Sequence, residues 1–173
     1  MQDLLEKAKN IKLLVLDVDG VLTDGKLYFS NTGDELKAFS TLDGQGIKML
    51  QQSGVDVAII TGRTSNIVQR RAENLGIKHL IQGREDKLIA LDELKATLSL
   101  GYQNIAYLGD DLPDLAAIRK AQLGMTVADG HSYVAEHADG KTLAIGGNGA
   151  VREICELIMR AQGSLLPAWE QYL

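Results

Sequence analysis

The chain has 173 residues, 45% of them apolar, which fits one domain of ordinary size with one packed core. Its 23 acidic and 18 basic residues leave a formal net charge of −5, excluding a general affinity for nucleic acid or anionic membrane. Cys155 is the only cysteine, which excludes an intrachain disulfide and a cysteine-rich metal site. No apolar run approaches membrane-spanning length, and the polar start MQDLLEKAKN is no signal peptide, so a soluble cytoplasmic protein is expected.

Short apolar runs alternate along the chain with longer segments of helical period. The runs Ile11–Leu16, Val55–Ile60, His79–Ile81, Ile105–Leu108 and Leu123–Val127 predict strands covered on both faces. Between them, helices are predicted near Gly46–Gln52, Asn66–Leu75, Lys87–Leu98, Asp114–Lys120 and His131–His137. A last helix is predicted over Val151–Ala161, whose apolar face carries Val151, Ile154, Cys155, Ile158 and Met159. This order predicts an α/β, doubly wound, Rossmann-like parallel sheet. After the first strand, residues 25–39 interrupt the rhythm as a β-hairpin turning at Asn31-Thr32-Gly33-Asp34. The tail 163–173 holds the only Trp and lacks a clear period. It reads either as packed on its own domain or as a contact with another subunit.

In open α/β sheets, ligands bind beyond the carboxyl ends of the strands. Here the first strand ends in Asp17-Val18-Asp19-Gly20, the second in Thr61-Gly62-Arg63 and the fourth in Gly109-Asp110-Asp111, with Asp114 a turn further on. Carboxylates converging on one pocket repel one another, and a hard divalent cation relieves that repulsion, magnesium above all. Asp111 and Asp114 also suit the start of a helix as caps. Lys87, at a helix start where its charge opposes the dipole, is either a solvated lysine or a point charge for a phosphoryl group. The Thr61 hydroxyl and the amides beside it, including that of Gly62, suit phosphate oxygens. Gly146-Gly147-Asn148-Gly149 reads as a flexible turn, and His79, His131 and His137 show no metal-ligand spacing.

DVDGVLTDG, TGR, the lone Lys87 and GDDLPD follow the order of the four motifs of the haloacid dehalogenase superfamily of phosphohydrolases, which this chain resembles. The likeness to one branch, phosphatases of a long keto-sugar acid, covers nearly the whole chain. It takes in KLYFSNTGDELKAF, DGQGIKML, TGRTSNIVQRRAENLGI, QGREDKL, YLGDDLPDL and GGNGAVREICELI. The resemblance implies a capless domain over residues 1–173 that assembles as a homotetramer with the hairpins at the subunit contacts. It also implies a magnesium-dependent phosphatase of a small phosphorylated sugar acid in lipopolysaccharide precursor synthesis, working through an aspartyl-phosphate. By matched position, Asp17 is the nucleophile and a magnesium ligand. Asp19 is general acid and base, and binds the metal through its carbonyl. Asp110 is the other side-chain ligand, while Thr61 and Lys87 hold phosphoryl oxygens. Asp43, Gly44, Lys48, Arg63 and Arg71 approach the sugar acid. The chain departs from the branch at Ser40-Thr41-Leu42, where Asn-x-Arg is frequent, so position 42 brings no cation.

Three other readings compete. A receiver-like signalling domain shares the acidic pocket, but its phosphoacceptor follows the third strand, which here ends near Ile81 without an Asp. A sialic-acid 9-phosphate phosphatase differs only in the sugar. An inert interaction subunit would not need every catalytic residue type.

Overall fold

The computed structural model describes residues 2–173. In chain order the elements are α1 (Gln2–Ala8), β1 (Leu13–Leu16), β2 (Tyr28–Phe29), β3 (Glu35–Leu36), α2 (Thr41–Gln52), β4 (Asp56–Ile60), α3 (Asn66–Leu75) and β5 (His79–Ile81). There follow α4 (Lys87–Thr97), β6 (Ile105–Gly109), α5 (Leu112–Lys120), β7 (Leu123–Thr126), α6 (Ser132–His137), β8 (Gly140–Lys141), α7 (Ala150–Ala161) and α8 (Leu165–Glu170). Six strands form one parallel sheet in the order β5-β4-β1-β6-β7-β8.

The apolar strands separate two cores by simple alternation. Leu14 and Leu16 of β1, with Val57, Ile59, Ala106 and Leu108, face a core closed by α2, α3, α7 and α8. Leu13 and Val15, with Ala58, Ile60, Ile105 and Tyr107, face a second core under α4, α5 and α6. Because β4 lies on one side of β1 and β6 on the other, the strand order reverses at β1. The crevice beyond its carboxyl end is therefore the natural ligand position. No further domain interrupts the sheet among the described residues. Only the hairpin and α2 lie between β1 and β4.

Several local expectations need correction. The helix expected from Gly46 begins at Thr41, because the Ser40 hydroxyl accepts the Asp43 amide at 3.3 Å and caps it. The start of the chain, read only for its polarity, forms α1, whose Ala8 is buried. The tail forms α8 and buries Leu165 and Ala168 against its own core, whereas Trp169, Tyr172 and Leu173 remain exposed. The short edge strand β8 has too little apolar pattern to be seen in the sequence.

Candidate active site

Asp17 extends β1 by one residue, its amide donating to the Leu108 carbonyl at 3.1 Å. The chain then turns sharply: the Val18 carbonyl accepts the amides of Val21, Leu22 and Thr23, and Gly20 adopts φ +90°. A β-carbon on Gly20 would overlap the Asp110 carboxylate, so glycine here also lets two strand ends close on each other. Gly146, in the expected turn before α7, lies against this loop, where a β-carbon would collide with the Gly20 carbonyl. The Gly147 amide donates to the Val21 carbonyl at 2.9 Å.

Asp110 follows β6, and Asp111 caps α5 by accepting the Leu112 amide at 2.8 Å. Asp114 is fully engaged. Its Oδ1 accepts from Lys87 Nζ at 2.7 Å and from the Tyr107 hydroxyl at 2.8 Å, and its Oδ2 accepts the amides of Asp110 at 3.2 Å and Asp111 at 3.4 Å. Lys87 Nζ also lies 2.9 Å from Asp17 Oδ2, and its side chain is only 5% exposed. Two buried carboxylates thus hold this ammonium at the start of α4 against the helix dipole, and Lys87 is no solvated lysine.

Oxygens of Asp17, Asp110 and Asp114 lie within 4.8 Å of one another. Burial, then repulsion from Asp114, pushes the Asp17 carboxyl up to about 7 against the pull of Lys87. Burial, then Asp17 and Asp114, likewise pushes Asp110 up to about 7. For Lys87, burial acts to lower the pKa, but Asp17 and Asp114 outweigh it and the net shift is upward. This donor set, all oxygen and, with its three carboxylates ionised against the one Lys87 ammonium, short of two positive charges, fits a hard divalent cation. Asp114 is consumed by its four donors, so Asp17 and Asp110 are the side chains with ligand capacity to spare.

The cluster floors a cavity of about 620 Å³. Of the residues expected in the site, Asp17, Asp19, Thr61, Gly62, Arg63, Lys87 and Asp110 line it together. Gly25, Glu85, Asp111, Pro113 and Asp114 line it as well. Thr61 is buried at the end of β4, tied by its amide to the Ile81 carbonyl and by its own carbonyl to the Arg84 amide. Glu85 was signalled only by its neighbourhood in QGREDKL, and Asp111 and Asp114 were signalled as caps, which they are.

Four expected substrate contacts lie outside this cavity. Asp43 is buried, and its carboxylate accepts the amides of Gly149 at 3.2 Å and Arg152 at 2.8 Å, so within one chain it fastens α2 to the start of α7. Gly44 makes room for the Arg71 guanidinium. Arg71 donates to the Ser40 carbonyl at 3.0 Å and lies 5.6 Å from the Phe39 ring centroid, clamping the base of the hairpin. Lys48 is exposed on α2.

The model of a haloacid dehalogenase-like hydrolase matches residues 26–122. The 3-deoxy-D-manno-octulosonate 8-phosphate phosphatase of Escherichia coli is 50% identical over 163 residues, covering 94% of this chain and 87% of the relative. The crystal structure of the corresponding Moraxella catarrhalis phosphatase, in complex with magnesium, phosphate and a KDO molecule, superposes with a TM-score of 0.98. Its identity is 47%, over 100% of this chain and 99% of that one. The cobalt-bound deoxy-D-mannose-octulosonate 8-phosphate phosphatase of Haemophilus influenzae superposes at 0.89 with 40% identity, over 92% and 93% of the two chains.

Proposed function

The chain belongs to the haloacid dehalogenase-like hydrolases, and from that premise we propose that it hydrolyses 3-deoxy-D-manno-octulosonate 8-phosphate to the free sugar acid and phosphate, using magnesium. The observation that carries the substrate is the full-length likeness to the Moraxella enzyme that binds magnesium, phosphate and KDO. Such an activity belongs to the supply of lipopolysaccharide precursors.

In this reading Asp17 attacks the phosphorus: it lines the cavity at the carboxyl end of β1, where the strand order reverses, with one oxygen not engaged by Lys87. Phosphoryl transfer asks for charge neutralisation and in-line positioning, and a magnesium ion with Lys87 would supply the first of these. Magnesium, held by Asp17 and Asp110 side chains and the Asp19 carbonyl, supplies the positive charge that lets an anionic nucleophile approach an anionic phosphate. Lys87 is fixed by Asp17 and Asp114 and can hold a phosphoryl oxygen from the α4 side. Thr61 and the Gly62 amide do so from β4. Asp19 sits at the wall with its side chain 22% exposed, open to the leaving sugar oxygen. A sugar alkoxide leaves poorly, so Asp19 protonates it and then deprotonates the water that opens the aspartyl-phosphate on Asp17.

Of the basic residues expected at the sugar acid, Arg63 lines the cavity, whereas Lys48 and Arg71 do not line it within one chain. This supports a homotetramer in which the exposed hairpins, with Leu27, Tyr28, Phe29 and Leu36 between 41% and 62% exposed, meet between subunits. Phosphate release measured over a panel of sugar phosphates, with magnesium or with excess chelator, tests the function. The octulosonate 8-phosphate should be the preferred substrate, and only with metal. Preference for a nine-carbon sialic-acid 9-phosphate would overturn the substrate, and full turnover in chelator would overturn the metal mechanism.

A further inference from the structure

We infer that Lys37, on the hairpin, is a positioning residue that fixes the Asp19 carboxylate for proton transfer. Glu35 and Lys37 are two residues apart on extended chain and so share a face, while Leu36 between them points away, 60% exposed. That shared face folds over the end of β1. Lys37 Nζ contacts Asp19 Oδ1 directly and lies 3.3 Å from Glu35 Oε1. Arg63 closes the circuit from the β4 side, its Nη2 3.3 Å from Glu35 Oε1 and its Nε 3.9 Å from Asp19 Oδ2. The four charges alternate around a ring, and each Asp19 oxygen faces a different cation.

Asp19 and Arg63 line the cavity, whereas Lys37 and Glu35 do not, and of these two only Lys37 contacts Asp19. The Lys37 side chain is 2% exposed, against 47% for Arg63. A buried ammonium has lost its water and is tolerated only against fixed partners, so its position is determined by Asp19 and Glu35. In return it restricts how the Asp19 side chain can turn. Proton transfer to a leaving oxygen requires hydrogen-bond reach, and a displacement of about 1 Å at such a group can cost on the order of a hundredfold in rate. Lys37 therefore acts on the reaction through Asp19 and not by touching substrate.

The inference rests on the reading of Asp19 as acid and base, and the experiment separates the two. Lys37→Met, Lys37→Arg and Asp19→Asn are assayed for kcat/KM on the octulosonate 8-phosphate and on 4-nitrophenyl phosphate, whose phenolate leaves without a proton. Lys37→Met should lower kcat/KM on the sugar phosphate at least about tenfold and on the aryl phosphate less than about threefold, with most of the loss recovered in Lys37→Arg. In the Asp19→Asn background Lys37→Met should add no further loss, since the two side chains act as one unit. Equal losses on both substrates, no loss on either, or additive losses in the double variant would each overturn the proposal. If Lys37→Met loses its fold, Lys37→Arg decides: retained preference for the sugar phosphate supports the role of the cation, and its loss in a folded protein overturns it. Asp19→Asn that harms both substrates alike would instead remove the premise, and the proposal with it.

Discussion

Magnesium binding should release protons below neutral pH and almost none above it. Asp17 and Asp110 are both held protonated up to about 7, whereas an ordinary aspartate ionises near 3.8. For Asp17, a shift of about three units corresponds to roughly 4 kcal/mol against ionisation inside the fold. Burial is the larger cause, and repulsion from Asp114 adds to it, two carboxylates about 5 Å apart repelling by roughly 3 kcal/mol at an effective dielectric of about 20, while Lys87 pulls the other way. Because the folded protein keeps these protons to about pH 7 and the unfolded chain releases them near 4, their contribution to stability is complete below about pH 4. It is lost as pH rises through 7 in the metal-free protein. A cation reverses the sign, since it binds the ionised form and gains affinity by about tenfold per pH unit for each proton displaced. Calorimetric titration of metal-free protein with magnesium, in buffers of different ionisation enthalpy, measures this directly. Between one and two protons should leave per magnesium at about pH 6, and each group should release only about a tenth of a proton at pH 8. The metal-free melting temperature should fall across the same range while magnesium-induced stabilisation grows. Proton release that is zero at pH 6, or equal at both pH values, would refute the account of the cluster.

Two further outcomes follow from the packing. Gly146→Ala should push the Gly20 carbonyl and the Asp17–Gly20 turn out of place, costing about 1–3 kcal/mol in stability and reducing kcat more than KM. Thermal melting and steady-state kinetics check both parts, and a variant with unchanged turnover would show that the loop does not brace the nucleophile. Phe29→Ser on the hairpin tip, where Phe29 is 62% exposed, should leave the α/β domain folded but shift light scattering from tetramer towards smaller species, and a wild-type protein that is monomeric and fully active at assay concentration would refute the assembly.

The floor of the cavity was legible because it is local in sequence. Asp17, Asp110 and Lys87 each stand at the first residue beyond a strand or at the start of a helix, and the parallel order alone brings those ends together. Asp114 was legible as a cap and not as the residue that holds Lys87, since that contact joins two helices 27 residues apart. Asp43 was expected at the sugar acid only from the family likeness; within one chain its partners are the amides at the start of α7, more than a hundred residues on, which no local pattern announces. Arg71 likewise sits on a polar helix face, and only packing reveals that Gly44 and Phe39 form a seat for its guanidinium. The hairpin was recognisable from its turn, but its strands are two residues long, too short for a period to say which side faces the site.

That shortness has a consequence for the chemistry. A two-stranded ribbon of this size is marginal by itself, and here neither strand is buried. Within one chain the hairpin is held over Asp19 by the Lys37, Glu35 and Arg63 pairs and by Arg71 at its base, and half-exposed pairs such as Arg63–Glu35 contribute little. Tyr28 and Leu36, paired across the ladder, present the opposite face to solvent. Covering that face with a second copy would order the ribbon through apolar burial, and so hold Lys37, with the Asp19 carboxylate, in one place. In such an assembly the segment that meets the neighbouring copy would also carry Lys37, the side chain that contacts Asp19, so association that hides the apolar side of the hairpin would also steady its polar side.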